Sequence, residues 1–457
     1  MRRNSAEPRK HAVVIGASMG GLSAAAALAT AYERVTLLER DELPDHPAHR
    51  RGVPQSKHAH GLQPGGLRAL EDLLPGVTAD LIAAGVRDGD LCGDCTWVVG
   101  GNRLRRENSD VLGIGMTRPF LEHGVRSRVA ALPNVTIRTA VEVTGLVAPD
   151  RRQVRGVVLR AGGRDEQLAA DLVVDASGRA SRLPAWLAEL GYAAPAEETV
   201  TCRMAYLTRR WQLAEDSTYR NLVSIVTPAA DPRFGVMIAQ EDGSYIVTLG
   251  GLLDSGPERT EDGYLDFAAN LLDPVIANAL AGATPVDELR SAHFPASRRR
   301  RYDKLRDFPQ GLLALGDSIA SFNPMYGQGM TVAALEAVLL RDQLARGVVR
   351  ARRFFNRAHR IEDVAWKIST GGDLRFDAVE GKRTPDQKMF NRYLDRLLAA
   401  ARTDPVLARQ FLTVAGFIDR PEALFRPSIV WRVFTAPRGV SVPLQADRAC
   451  TPELAER

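Results

Sequence analysis

The chain has 457 residues, of which 45% are hydrophobic and 25% charged, and this balance is typical of a soluble globular protein with one large or two ordinary domains. Its formal net charge is +5, with arginine clusters such as residues 298–301, but such short clusters favour a solvated face or a phosphate clamp over nucleic-acid binding. The sequence has no apolar run long enough to span a membrane and begins with a polar segment, so we expect a cytoplasmic protein.

The first predicted element is a strand at residues 12–15, followed by a glycine-rich turn and an alanine-rich helix at residues 22–31. The turn reads Gly16-Ala-Ser-Met-Gly-Gly21. A tight turn followed by a helix N-terminus, with its unpaired N–H groups and positive dipole, is suited to a pyrophosphate. Ser18 replaces the usual middle glycine, yet the strand–turn–helix context still predicts a dinucleotide-binding site.

The second predicted strand, residues 35–38, ends in an acid, Glu39. A carboxylate at this position can accept hydrogen bonds from both ribose hydroxyls of an adenosine, and it disfavours a 2′-phosphate. The sequence therefore predicts a dinucleotide other than NADP at this site.

A loop rich in proline, histidine and arginine follows at residues 41–60. Its four histidines are His46, His49, His58 and His60. They lack the helical spacing of metal ligands, so exposed or substrate-gating side chains are the favoured interpretation. Cys92 and Cys95 form a C-x-x-C pair, but no second pair accompanies it, and buried or loop thiols are favoured over zinc or redox use. No metal site is predicted.

Short elements fill the region up to residue 195. They are a helix at residues 66–74, a hairpin around Gly100-Gly101, a helix at residues 120–131, and strands at residues 135–137, 141–147, 154–159 and 172–174. We interpret the four strands as a β-meander within the nucleotide-binding domain, which ends at Asp175-Ala-Ser-Gly178.

From residue 196 to residue 295 the pattern changes to longer alternating strands. Residues 200–206 alternate with a period of two, which is typical of a sheet with two different faces, and residues 222–226, 234–239 and 244–249 are its predicted neighbours. We predict a substrate domain on an antiparallel sheet with one face towards the cofactor. Tyr206, Met237 and Tyr245, together with Phe322 further along the chain, are the predicted substrate-pocket residues.

The chain then returns to the first domain. Residues 311–315 predict a buried strand that ends in Gly316-Asp317, and Met325-Tyr-Gly-Gln-Gly329 opens a helix that runs through residue 340. This second turn would place Asp317 beside a sugar-alcohol chain and the N–H groups of residues 327–330 against a polar ring edge. A flavin has both features, and its ring edge becomes electron-rich on reduction, so the two turns together predict FAD.

These residues resemble the class A flavin monooxygenases, the para-hydroxybenzoate-hydroxylase-like family, over residues 11–345. Residues 16–21 with Glu39 resemble the first FAD motif, and Leu315-Gly-Asp317 with Pro324 and Gly327-Gln-Gly-Met330 resembles the second. Arg118 matches an arginine that reaches the FAD diphosphate in relatives. The predicted cofactor-binding residues are Gly16, Ser18, Met19, Gly20, Gly21, Glu39, Arg40, Arg118, Asp317, Pro324, Gly327, Gln328, Gly329 and Met330.

The resemblance implies an α/β fold with a Rossmann-like FAD-binding domain of the glutathione-reductase type. We expect this domain to be discontinuous, at residues 11–195 and 296–350, and to carry the β-meander. The antiparallel-sheet substrate domain then covers residues 196–295, and residues 351–457 form a C-terminal helical region over the substrate side.

Two segments resemble the actinobacterial branch of the family that contains polyether epoxidases and FAD-bound polyketide cyclases. They are Arg51-Gly-Val-Pro-Gln-Ser-Lys-His-Ala-His60 and Phe322-Asn-Pro-Met-Tyr-Gly-Gln-Gly-Met330. The sequence departs from the family in its third motif, where Ser177 stands in place of the aspartate that bridges FAD and NAD(P)H. Ala320 replaces a histidine that often follows the Gly-Asp pair. The tandem-tryptophan motif of flavin halogenases is absent, which argues against halogenation.

The resemblance implies an FAD-dependent monooxygenase, a hydroxylase or an epoxidase, acting on an apolar, polyketide-like metabolite in a biosynthetic pathway such as that of an antibiotic. No catalytic side chain is predicted, because the flavin carries the chemistry and the protein must exclude water. We expect a small-molecule substrate, NAD(P)H as the reductant, and a monomer or homodimer. Two alternatives stay open: a redox-silent cyclase that binds FAD as part of its pocket, for example for a decalin-forming [4+2] addition, and a flavin-dependent reductase of prenyl double bonds.

Overall fold

The computed structural model describes residues 9–437, which contain twenty-one strands and twelve α-helices. The strands are β1 His11–Ile15, β2 Arg34–Leu38, β3 Arg87–Asp90, β4 Cys95–Val99, β5 Asn102–Arg103, β6 Leu112–Gly115, β7 Val135–Arg138, β8 Val141–Val147, β9 Gly156–Ala161, β10 Arg164–Ala169, β11 Leu172–Asp175, β12 Glu197–Val200, β13 Met204–Gln212, β14 Val223–Val226, β15 Arg233–Ala239, β16 Tyr245–Gly251, β17 Thr284–Pro285, β18 Arg290–Phe294, β19 Ser297–Arg300, β20 Leu312–Ala314 and β21 Ala320–Ser321. The helices are α1 Met19–Ala29, α2 Pro64–Leu73, α3 Val77–Ala83, α4 Arg118–Ala130, α5 Leu183–Glu189, α6 Glu261–Ala269, α7 Val275–Leu280, α8 Gly329–Leu344, α9 Ala351–Asp373, α10 Pro385–Ala400, α11 Pro405–Ala415 and α12 Pro427–Thr435.

A five-stranded parallel sheet with the order β20-β11-β1-β2-β7 forms the centre of the first half of the molecule. Its inner strands are continuous apolar runs, as expected when both faces of a parallel sheet are covered. Helix α1 packs against both β2 and α8 and is buried on almost every side, which explains its alanine-rich sequence. The fold-class prediction of a Rossmann-like α/β domain with an added antiparallel sheet is confirmed.

The predicted β-meander is present, but its strands differ from the prediction. β7 and β11 belong to the parallel sheet, and the meander is β8-β9-β10. The interpretation missed β10 because its sequence, Arg-Asp-Glu-Gln-Leu-Ala, is polar, and five of its six residues are exposed. A strand that buries neither face leaves no apolar alternation to recognise.

An eight-stranded sheet forms the second half of the molecule, with the order β17-β13-β16-β15-β14-β4-β5 and β18 paired to β13. The single strand predicted at residues 200–206 is wrong. Strand β12 ends at Val200 and pairs with β19, Arg203 has a φ of +42°, and β13 begins at Met204 in the larger sheet. The apolar alternation continues across the break, so the pattern alone does not reveal that the chain changes sheets.

The predicted hairpin around Gly100-Gly101 is β4-β5, and both glycines have positive φ. The sequence interpretation placed this hairpin in the nucleotide-binding domain. In the structure β4 pairs in parallel with β14 and extends the substrate-side sheet. The cause is burial, because Cys95 and Val98 pack in the same apolar core as Val226.

The C-terminal helices α9 to α12 lie against both halves. Helix α9 packs on α8, and α10 to α12 share an apolar core with residues next to the β4-β5 hairpin. The part of the predicted helical region at residues 438–457 lies outside the described residues. Within residues 9–437, no helix is both long and apolar enough to cross a membrane.

Candidate cofactor site

A cleft of about 900 Å³ lies between the carboxyl edge of the parallel sheet and the inner face of the eight-stranded sheet. The predicted cofactor residues that line it are Gly16, Ser18, Met19, Gly20, Glu39, Arg40, Arg118, Asp317, Pro324, Gly327, Gln328, Gly329 and Met330. These positions are up to about three hundred residues apart in the sequence, and the fold brings them to one cavity.

The first glycine turn connects β1 to α1. Gly16 has a φ of +96°, and a Cβ on it would lie 2.7 Å from the carbonyl oxygen of Ala176, so only glycine fits. Gly21 does not line the cleft. A Cβ there would lie 1.8 Å from the carbonyl oxygen of Gly16, so this glycine lets the helix pack closely on the turn. Ser18 takes the N-cap position with a φ of −87°, a conformation that does not require glycine.

Glu39 follows β2 and is buried beside the turn. Its Oε2 atom accepts a hydrogen bond of 2.8 Å from the Ala17 N–H, and its Oε1 atom accepts one of 3.1 Å from the Asp41 N–H. Arg50 Nη1 lies 3.1 Å from the same Oε2 atom. These contacts fix the carboxylate at the cleft wall in the position expected for an adenosine ribose.

A carboxylate on α4, Glu122, holds two arginines at the site. Arg50 Nε donates to it over 2.7 Å and Arg118 Nη2 over 2.9 Å. Burial acts to raise the pKa of Glu122, but the two guanidinium groups outweigh this and hold it below its ordinary value. Arg118 also donates to Ser18 Oγ over 2.8 Å and contacts the sulfur of Met330, so it connects the two glycine-rich turns.

The second turn follows β20. Gly316 has a φ of +66°, and its N–H donates to Glu336 Oε2 over 2.7 Å. Asp317 lines the cleft beyond this turn, and within residues 9–437 no donor forms a hydrogen bond with its carboxyl group. Burial raises the pKa of Asp317, while Arg179 and Arg118 act in the opposite direction.

Helix α8 begins at the cleft. Gly327 takes the left-handed conformation with a φ of +63°, and Gln328 is the N-cap residue. No acidic residue lies in the first turn of the helix, and its free N–H groups and positive dipole face the cavity next to the Asp317 carboxyl group.

Several buried polar atoms at the cleft have no partner within the described part of the chain. Arg118 Nε, Arg50 Nη2 and Gln328 Oε1 are among them. A buried guanidinium N–H without an acceptor is costly, and a pyrophosphate would satisfy it. Together with the closely packed glycine turn and the unpaired Asp317 carboxyl, these atoms fit a dinucleotide with a polyhydroxyl chain.

The inner face of the eight-stranded sheet forms an apolar wall of the same cleft. Its members are Met204, Tyr206, Val223, Ile225, Phe234, Val236 and Ile238. Phe322 lines the cavity as well, next to the second turn. Of the four predicted substrate-pocket residues, Tyr206 and Phe322 therefore lie at the cleft.

Met237 and Tyr245 do not line the cleft, which corrects their assignment to the cofactor-facing side. On β15, Val236 and Ile238 point into the cavity, so Met237 between them points away. Both residues pack in the outer apolar core beneath α6 and α7. Alternate residues of a strand face opposite sides of the sheet, and the register between strands decides which residues of different strands share a side. The sequence alone did not specify that register.

Residues 9–353 match the family described as FAD binding domain, which is three quarters of the chain. The chain belongs to this FAD-binding family. Protein Rv3254 of Mycobacterium tuberculosis is 38% identical to it over 434 residues, which cover 90% of either protein.

Solved structures with the same fold include flavin enzymes. The flavin-dependent brominase Bmp2 is 14% identical, with a TM-score of 0.65, and the match covers 93% of this chain and 98% of that chain. p-Nitrophenol 4-monooxygenase PnpA from Pseudomonas putida DLL-E4 is 17% identical, with a TM-score of 0.63, and the match covers 90% and 99%. At these identities the likeness describes the fold.

Sequence reasoning missed two residues that organise the cleft, Arg50 and Glu122. Glu122 stands four residues after Arg118 on a helix, and this spacing places two side chains next to each other. The sequence could therefore have predicted this pair. Arg50 comes from the loop at residues 41–60, and nothing in its local sequence separates it from Arg51.

The loop histidines differ in environment. His46 is exposed and pairs with Asp45, whereas His58 and His60 line the cleft. Burial, helped by nearby cations, lowers the pKa of His58 to about 4 and that of His60 to about 3, so both are neutral at pH 7. Within residues 9–437, no group of three or more histidine, cysteine or acidic side chains could hold a metal ion.

Proposed function

We propose that the protein is an FAD-dependent monooxygenase, a hydroxylase or epoxidase, that acts on an apolar specialised metabolite. The observation that carries the proposal is the continuity of the cleft, in which the predicted FAD residues and the apolar wall of the sheet line one cavity. Such a cavity can hold a flavin and an apolar molecule in contact. A polyketide-like substrate in a biosynthetic pathway and NAD(P)H as the reductant belong to the same proposal.

FAD, when bound, would accept hydride from a reductant and use O₂ to oxygenate the substrate. The chain's own residues bind and orient it. Glu39 would accept the ribose hydroxyls, Arg118 would donate to the diphosphate, and Asp317 would accept from the ribityl chain. The N-terminus of α8 favours negative charge at the ring edge, and the apolar wall excludes water.

In domain terms, we propose that residues 11–195 and 296–350 act as the FAD-binding unit and residues 196–295 as the substrate unit. The β4-β5 hairpin is the exception within residues 11–195: it extends the substrate-side sheet, and we assign it to the substrate unit.

One observation favours a second candidate, a redox-silent cyclase with FAD in its pocket. Ser177 replaces the aspartate that bridges FAD and NAD(P)H in the family. Its Oγ atom donates to Asp175 over 2.5 Å, and Asp175 is fully buried and also accepts from Ser181. The Asp175 carboxyl group is therefore held inside the protein and cannot replace, at the cleft, the aspartate that the family has at position 177.

The two candidates separate in an anaerobic reduction experiment. Purified holoprotein is mixed with NADH or NADPH without oxygen, the loss of oxidised-flavin absorbance is followed, and air is then admitted while oxygen uptake is recorded. A monooxygenase is expected to be reduced and then to consume oxygen. Flavin that neither reductant reduces, in protein that retains stoichiometric FAD, would contradict the oxygenase proposal and support the cyclase.

A further inference from the structure

Two neighbouring histidines of the loop at residues 41–60 line the cleft, and their hydrogen bonds differ. His60 Nδ1 lies 2.9 Å from the carbonyl oxygen of His58. A carbonyl only accepts, so the neutral His60 ring carries its proton on Nδ1 and presents a bare Nε2 atom.

His58 binds instead to a chain of hydroxyl groups. Its Nδ1 atom lies 2.8 Å from Thr208 Oγ1, which lies 2.7 Å from Thr248 Oγ1, and the Ala59 N–H donates to Thr248 over 3.1 Å. Thr208 and Thr248 are neighbours on β13 and β16, and both are buried. The loop is thereby fastened to the inner face of the substrate-side sheet.

The acceptors available to the two threonine hydroxyl groups decide which atom donates in each of these hydrogen bonds. Among the described residues, Thr248 has one acceptor for its own proton, the Thr208 hydroxyl. Thr208 then accepts from Thr248 and donates its proton to His58 Nδ1. In the opposite tautomer the Thr248 hydroxyl, which lines the cleft, would have no acceptor for its proton among the described residues, and an unpaired donor costs free energy. His58 therefore carries its proton on Nε2.

The Nε2–H group of His58 has no partner among residues 9–437, although the residue is only 7% exposed. The ring meets Tyr206 edge to face with centroids 4.8 Å apart, and Tyr206 belongs to the apolar wall. A fixed, unpaired donor thus stands beside the apolar wall of the cavity.

We propose that His58 is a specificity-determining residue of the substrate pocket and that its Nε2–H donates to a neutral carbonyl oxygen on an otherwise apolar substrate. This inference rests on the proposed function, because it treats the apolar wall as the substrate side of the cleft. A neutral N–H donor beside apolar side chains suits a neutral acceptor such as the carbonyl oxygen of a ketone or an aldehyde.

The tautomer is tested first, by NMR of holoprotein labelled with ¹⁵N-histidine, with two-bond proton–nitrogen correlations assigned through the variant His58→Asn. The expected result is a neutral His58 with its proton on Nε2 and a neutral His60 with its proton on Nδ1. Thr208→Val is expected to shift the Nδ1 resonance of His58, because the donor to that atom is lost. A His58 proton on Nδ1 would overturn the proposal.

The ligand chemistry is tested with two probes of nearly equal shape, 2-acetylnaphthalene and 2-isopropenylnaphthalene, which differ by an oxygen in place of a CH₂ group. Dissociation constants are taken from the change in flavin absorbance on titration of the oxidised holoprotein. The affinity ratio of ketone to hydrocarbon is expected to fall by about three- to tenfold in His58→Phe relative to the unmodified protein, as for one hydrogen bond. His49→Phe, which alters a loop histidine outside the cleft lining, should leave the ratio unchanged.

A ratio that His58→Phe leaves unchanged would overturn the proposal. Neither measurement requires turnover. An inert flavin in the reduction experiment would therefore count against the monooxygenase alone, and the two binding readouts would still decide the role of His58.

Discussion

Glu39 is held in place before any ligand arrives, since two backbone N–H groups and Arg50 fix its carboxylate at the cleft wall. A preset acceptor loses little conformational entropy when it binds a ribose. The contacts that hold it come from its own turn and from the loop that follows.

Glu39→Ala is therefore expected to weaken FAD binding about ten- to a hundredfold, because hydrogen bonds to a charged acceptor contribute about 1.5–3 kcal/mol. The measurement is a titration of apoprotein with FAD, followed by quenching of flavin fluorescence. Glu42→Ala removes an exposed acid three residues away and should leave the affinity unchanged. Equal affinities for both variants would exclude Glu39 from the site.

Asp373 is a buried carboxyl group behind the second turn. It accepts from Asn323 Nδ2 over 3.0 Å and from the Tyr326 hydroxyl over 3.2 Å, and burial raises its pKa to about 7 from an ordinary value of 3.8. Between these two pH values the folded protein holds a proton that the unfolded chain has lost. This group therefore makes the free energy of unfolding fall as the pH rises from about 4 to 7.

Asp373→Asn should remove that contribution. Each pH unit between 5 and 7 corresponds to about 1.4 kcal/mol for one proton. The loss of stability between pH 5 and pH 8 should therefore be about 2–3 kcal/mol smaller in the variant. Urea unfolding at the two pH values measures it. The exposed Asp377→Asn is the control, and a variant as pH-dependent as the unmodified protein would show that Asp373 is ionised when folded.

At the scale of elements, helix α9 packs closely against the second turn at Gly372, which contacts the Tyr326 side chain. A Cβ on Gly372 would lie 2.0 Å from the Tyr326 hydroxyl oxygen, whereas a Cβ on Gly371 would meet the end of the flexible Gln387 side chain at 3.3 Å and Asn391 Oδ1 at 3.8 Å. The two neighbours share one helix, and alanine favours a helix over glycine by about 1 kcal/mol at either position.

Gly372→Ala is expected to destabilise the protein by about 1–3 kcal/mol, because Tyr326 must move, and Gly371→Ala is expected to be neutral or slightly stabilising. Thermal unfolding of the holoprotein tests both. The displaced tyrosine follows Pro324 in the second turn, so Gly372→Ala should also alter the visible spectrum of the bound flavin. Two variants with the same melting temperature would contradict the close contact.

The sequence predicted the site best where the functional residues lie close together along the chain. The glycine turns, their flanking strands and the acid after each strand could be located because backbone geometry and helix N-termini impose residue types at fixed spacings. Arg50 was missed because its partner Glu122 is 72 residues away, and Met237 was placed on the wrong face because strand register is a tertiary property.

At the scale of the whole molecule, the proposed FAD site lies between the two sheets, so ligand binding there should stabilise the entire protein. A ligand at a hundred times its dissociation constant adds about 2.7 kcal/mol. FAD is expected to raise the melting temperature of the apoprotein more than FMN does, because FMN has no adenosine for Glu39 to hold. Equal shifts by FAD and FMN would contradict the assignment of the first turn.

The position of β20 has a consequence for synthesis of the chain. This strand covers β11 at the end of the parallel sheet, yet it begins at Leu312, about two thirds of the way along the sequence. Until it leaves the ribosome, the backbone edge of β11 is open to pairing with other chains. The nascent N-terminal half is therefore expected to be prone to aggregation while the substrate-side sheet is being translated. The yield of folded protein in cells should depend on chaperones that shield the edge of β11.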